Sequence, residues 1–90
     1  MFKTVTMTGR SGSISWAYHA AAVLSGWTVH RTEQHEWTLT ANIDRADRFK
    51  LAQRPLFFNA PRRGGFYTWP INSVTVGHET LKASLGPPEA

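Results

Sequence analysis

The sequence predicts a mostly β domain: a small antiparallel barrel or sandwich of short strands and hairpins, with room for one short helix. Three observations lead there. Apolar and polar residues alternate with period two in several short runs. Gly- and Pro-containing turn signals separate those runs at close intervals. The composition, 41% hydrophobic and 12% aromatic over 90 residues with 18% charged, suits one core in one domain and does not suit a disordered chain. The compact domain is expected over residues 1–86. A tail at 87–90 follows, because Pro87 and Pro88 cannot donate to a ladder.

The elements follow in chain order. Residues 4–8 are rich in β-branched side chains, and residues 13–18 align Ile14, Trp16 and Tyr18 on one face. Gly9-Arg10-Ser11-Gly12 lies between them and reads as a turn, giving a first hairpin of residues 2–8 and 13–19. Residues 17–24 contain four alanines and can be read as a short helix ended by Ser25-Gly26. Trp27 and Val29 mark a further strand that turns through residues 33–36. The cleanest alternation follows: Trp37, Leu39, Ala41 and Ile43 face one way, and Thr38, Thr40, Asn42 and Asp44 the other. Residues 45–53 fit a helix capped by Asp44 or a strand alternating Phe49 and Leu51 with Arg48 and Lys50; the strand is preferred. Residues 56–59 and 66–69 form a hairpin around a basic, Gly-containing tip. Residues 74–76 and 81–85 form the last hairpin around Gly77-His78-Glu79. Pro55, Pro61 and Pro70 are expected at strand ends, bulges or edges.

Charge is unevenly placed. Ten Lys and Arg oppose six Asp and Glu, a formal +4. Residues 45–63 carry Arg45, Arg48, Lys50, Arg54, Arg62 and Arg63 against Asp47 alone, a net +5, so the rest of the chain is nearly neutral. Phe66, Tyr67 and Trp69 follow the Arg62-Arg63 tip directly. Guanidinium groups bind carboxylate and phosphate bidentately, and aromatic faces anchor protein interfaces or stack on unpaired bases. The nine candidate binding residues are therefore Arg45, Arg48, Lys50, Arg54, Arg62, Arg63, Phe66, Tyr67 and Trp69. The plainer alternative stays open, in which the aromatics fill the core and the arginines solvate strand edges.

Little in the chain points to catalysis. With no cysteine, disulfides and thiolate metal sites are excluded. His30, Glu33, His35 and Glu36 cluster at one expected turn, but their spacing matches no established metal site, and a solvated polar turn is the better reading. Gly9-Arg10-Ser11-Gly12-Ser13 lacks the Gly-Lys-Ser/Thr ending of a phosphate-binding loop. No serine sits in a nucleophile elbow. The expectation is a protein that is not an enzyme and uses no cofactor or metal. The longest apolar run, residues 20–24, is far too short to span a membrane as a helix. The N-terminus does not read as a secretory signal, and a cytoplasmic location is expected.

From Trp37 onward the chain resembles small, mostly β accessory proteins of actinobacterial tailed phages. The motifs are Asp47-x-Phe49-x-Leu51-x-Gln53-Arg54-Pro55-Leu56, Trp69-Pro70, and Leu81-x-Ala83-x-Leu85-Gly86-Pro87. Gly12-Ser13-Ile14-Ser15-Trp16 and Ser25-Gly26-Trp27-Thr28 agree more loosely. The resemblance implies a phage accessory protein and carries no activity or site residues with it. The Arg62–Gly65 tip lies outside those motifs. The expected function is binding of an acidic host or phage protein through the basic aromatic hairpin, with inhibition of a host process as one outcome. The alternatives are single-stranded nucleic-acid binding by the same surface, and self-association as a virion component through sheet edges.

Overall fold

The computed structural model describes residues 5–16 and 19–89. Six antiparallel strands close into a barrel in the order β1-β2-β3-β6-β5-β4. The strands are β1 (Val5–Trp16), β2 (His19–Arg31), β3 (Trp37–Ile43), β4 (Leu56–Arg62), β5 (Gly65–Val76) and β6 (Thr80–Leu85). A single 3-10 turn, Arg48–Ala52, lies between β3 and β4. The fold class is as the alternation predicts, and the barrel is selected over the sandwich.

Where the sequence alternates strictly, the structure follows it. Leu39, Ala41 and Ile43 of β3, Leu56, Phe58 and Ala60 of β4, and Leu81, Ala83 and Leu85 of β6 all point into the core. Three register shifts interrupt the ladders, one of them between Ile14 and Ser15 in the β1–β2 pair, and the other two hand the inward face to new residues. In β2 the register shifts between Ser25 and Thr28, so Ala22 and Leu24 face inward before it and Trp27 and Val29 after it. Gly26 takes φ +56° there, a value that L side chains adopt only with strain. In β5 a shift between Ile71 and Ser73 hands the inward face from Trp69 and Ile71 to Val74 and Val76.

The first hairpin is not where the turn signal puts it. Gly9-Arg10-Ser11-Gly12 runs straight through β1, pairing with β2 on both sides of Arg10. The glycines instead make room for rings. A Cβ on Gly9 would overlap the Trp27 indole, and one on Gly12 would lie 2.8 Å from the Phe58 ring. Trp27 Nε1 donates to the Ser11 carbonyl at 2.7 Å, fixing the indole across the strand. Packing between distant residues has overridden a local turn preference.

Three further expectations are corrected or bounded. Residues 19–24 are strand rather than helix, and residues 17 and 18 lie outside the described residues. The strand preferred for residues 45–53 is absent: the 3-10 turn buries Leu51 and leaves Phe49 75% exposed, so the two cannot share a face. Pro70 sits inside β5, not at a sheet edge, and is tolerated because it faces the point where β6 has ended. Its carbonyl accepts from Gly86 N–H at 2.8 Å, and its missing N–H interrupts no ladder with β4.

Aromatic rings form a continuous column through the barrel. Trp27 meets Phe58 edge-on at 5.4 Å, and Phe58 stacks on Trp69 at 5.6 Å. Trp69 in turn contacts Trp37 at 6.1 Å and Tyr67 at 5.9 Å. Such pairs add about 0.5–1.5 kcal/mol each beyond the area they bury. The indole N–H of Trp69 has no partner among the described residues. An orphaned buried donor costs about 1–3 kcal/mol, which the surrounding ring contacts offset.

Candidate binding surface

The strand directions give the barrel two distinct ends. One end, here the tip end, gathers the start of β1, the β2–β3 turn, the β4–β5 turn and the segment after β6. The other, the base end, gathers the β3–β4 connection with its 3-10 turn and the β5–β6 turn. β4 carries the chain from base to tip over seven residues, about 20 Å at the usual rise per residue.

That crossing divides the basic window. Arg45, Arg48, Lys50 and Arg54 precede β4 and lie at the base; Arg62 and Arg63 end it and lie at the tip. The nine candidate residues therefore do not form one patch.

At the base, two of the four cations, Lys50 and Arg54, have polar partners among the described residues. Lys50 Nζ pairs with Asp47 Oδ1 at 3.1 Å. Arg54 donates to the carbonyls of Leu51 at 2.8 Å and Gln53 at 2.7 Å, closing the chain around the 3-10 turn. Arg48 lies over its neighbour Phe49, 4.8 Å from the ring centroid. Asp47 also accepts from Val23 N–H at 3.4 Å. The Lys50 hydrogen bond, followed by that of Val23, holds the Asp47 carboxyl below the usual carboxylate range. Arg45 lines a groove of about 720 Å³ together with Asp44, Asp47 and Glu79 and has no carboxylate within ion-pair distance among the described residues.

At the tip the arrangement differs. Arg62 pairs with Gly65 across a two-residue turn, Arg63-Gly64, in which Gly64 takes φ +82°. The Arg62 guanidinium lies 4.6 Å from the centroid of the Tyr67 ring. Phe66 is 60% exposed beside it, and Arg63 is exposed at the apex. Among the described residues, neither arginine has a carboxylate within ion-pair distance. Arg62, Phe66 and Tyr67 line a recess of about 520 Å³ with Thr68, Pro88 and Glu89. The segment after β6 is strapped beside it by Glu89 N–H donating to the Thr68 carbonyl at 2.8 Å.

Trp69, expected as a surface anchor, is a core residue with 1% of its surface exposed. It supports the tip from beneath through Tyr67. Two arginines lie outside the basic window and escape a count of charge, Arg31 at the tip and Arg10 midway along β1. Arg31 places its guanidinium 5.7 Å from the Trp37 ring centroid. The period-two run Trp27, Val29, Arg31 marks it as inward-facing. Arg10 is exposed on β1, within the segment read as a turn.

The four polar residues near the β2–β3 turn do not converge: no group of three potential metal ligands forms among the described residues. The turn is held instead by Thr32 N–H to the Glu36 carbonyl at 2.8 Å and Glu36 N–H to Thr32 Oγ1 at 3.2 Å. No helix among the described residues is long and apolar enough to cross a membrane.

The chain is thus a closed six-stranded antiparallel β-barrel with a basic, aromatic hairpin at one end. Comparison with protein families, curated proteins and solved structures finds no match for it.

Proposed function

We propose that this is a non-enzymatic phage accessory protein that binds an acidic host or phage protein through the tip of the β4–β5 hairpin, in the host cytoplasm and without a cofactor. The phage assignment rests on the sequence resemblance. The binding surface rests on one observation: Arg62 and Arg63 have no carboxylate partner while they flank an exposed Phe66 and a half-buried Tyr67. Unpaired arginines around an aromatic anchor are the composition of an interface hot spot. Arg62, already held against Tyr67, loses less side-chain freedom when it meets a carboxylate.

Affinity capture from an actinobacterial lysate, with and without nuclease, tests the reading. A protein retained after nuclease and lost in the Arg62→Ala/Arg63→Ala variant supports it. A protein retained equally by both variants refutes it. Phe66 also presents a free ring on which a base can stack. Retention that disappears with nuclease, with a steep salt dependence, turns the assignment to single-stranded nucleic acid.

A further inference from the structure

Although the barrel is closed, its β1–β4 seam is short. β1 pairs with β4 only from Ser13↔Asn59 to Trp16↔Leu56. From residue 12 back to residue 5, β1 pairs with β2 alone. Backbone groups alternate sides along an antiparallel strand, so about half of those in residues 5–12 point away from β2. No described strand pairs with that side.

The seam stops for a reason visible in the residues. Continuing its register would set Pro61, which has no N–H, opposite Ser11, and Arg62 opposite Arg10. A proline removes a ladder bond, and like charges directly opposite repel. The β1–β4 pairing therefore ends at Ser13, leaving a notch whose β1 strand carries Arg10 and whose β4 strand ends in Arg62.

Other unpaired stretches are partly occupied. The end of β4 carries Pro61. The first residues of β2, beyond its pairing with β3, meet the Asp47 carboxylate at Val23 N–H. The start of β5, beyond its pairing with β6, is covered by Gly86 and Glu89. Along residues 5–12 of β1 the Ser11 carbonyl accepts from the Trp27 indole, and the rest of the edge has no such cover among the described residues.

We infer that the notch accepts an extended acidic segment of the partner as an added strand on β1, with its carboxylates between Arg10 and Arg62. This rests on the hairpin reading and specifies how recognition occurs: the backbone of β1 supplies hydrogen bonds, and the arginines select charge. Acidic side chains of the added strand would meet positive charge from Arg10 on one side and from the β4–β5 tip on the other.

The probe is an end-blocked eight-residue peptide alternating Val and Glu, with a Val–Lys peptide as control. Binding is followed by titration, and amide exchange by NMR. The Val–Glu peptide is expected to slow exchange of amides within residues 6–12 at least tenfold. Arg10→Glu is expected to weaken its binding at least tenfold, and the Val–Lys peptide is expected not to bind. Suppose the Val–Glu peptide binds and loses affinity in Arg62→Ala/Arg63→Ala, yet leaves β1 exchange unchanged and ignores Arg10→Glu. Strand addition is then overturned while the hairpin reading stands. Absence of Val–Glu binding overturns strand addition alone, since the hairpin reading has its own capture experiment. Protection of residues 6–12 that grows with protein concentration, with a dimer in sedimentation and no peptide present, assigns the edge to a second copy and also overturns the proposal.

Discussion

The two ends of this barrel have similar inventories and differ in how many of their charged groups are engaged. Each has several arginines and one exposed phenylalanine, Phe49 at the base and Phe66 at the tip. At the base, Lys50 is paired with Asp47 and Arg54 is bonded to two carbonyls. At the tip, Arg62 rests on a ring and Arg63 projects from the turn, neither with a carboxylate partner among the described residues. Charge density alone therefore does not locate a binding surface. What separates the ends is how far the fold has satisfied the charged groups: Lys50 and Arg54 are engaged at the base, where Arg45 and Arg48 have no carboxylate within ion-pair distance among the described residues, and at the tip neither Arg62 nor Arg63 has one. A guanidinium that closes a loop belongs to stability; one left unpaired beside an aromatic anchor is available to a partner.

The contrast can be broken in several ways. The largest effect is expected at the shared core. Phe58→Ala removes the ring linking Trp27 to Trp69 and should cost about 3–5 kcal/mol in chemical denaturation. If it costs under 1 kcal/mol, the aromatic column does not hold the two ends in one body. Gly9→Ala drives a methyl into the Trp27 indole and is expected to cost about 1–3 kcal/mol. An unchanged denaturation midpoint would contradict the claim that this glycine serves packing.

The next pair separates the ends directly. Arg54→Ala should destabilise by about 1 kcal/mol through its lost carbonyl contacts and leave partner affinity alone. Arg62→Ala/Arg63→Ala should do the reverse, changing stability by less than about 0.5 kcal/mol and weakening binding tenfold or more. The smallest effect belongs to Asp47. Its carboxyl is held low by Lys50 and Val23, so its contribution is present at neutral pH and fades as the pH falls below about 4. Urea midpoints of Asp47→Asn and the wild type should therefore differ slightly at pH 7, and the difference should shrink as the pH falls below about 4. A difference that does not shrink with falling pH would mean the ionised carboxylate is not what matters.

Much of the barrel is legible in the sequence because its signals are local. Strict alternation in β3 and β6, and the Gly-containing turns between residues 62 and 65 and at Gly77, act within a few residues of where they are read. The misreadings arise where a residue answers to something distant. Gly9 and Gly12 resemble a turn, and only the rings of Trp27 and Phe58, folded in from β2 and β4, reveal why they are there. Phe49 and Leu51 alternate on paper, but the 3-10 turn buries one and exposes the other. The basic window is continuous in sequence and divided in space because a whole strand runs through it. Trp69 could have been placed correctly: in β5, Tyr67, Trp69 and Ile71 share the inward face and Phe66 the outward one.

The most direct test of the account measures one partner against both ends. The protein captured by the wild type is titrated against Arg62→Ala/Arg63→Ala and against Arg48→Ala/Phe49→Ala, with folding of each variant verified by thermal denaturation. The account predicts a loss of tenfold or more, about 1.4 kcal/mol, for the tip variant and no more than twofold for the base variant. Equal losses, or a larger loss at the base, would contradict the assignment of function to the tip.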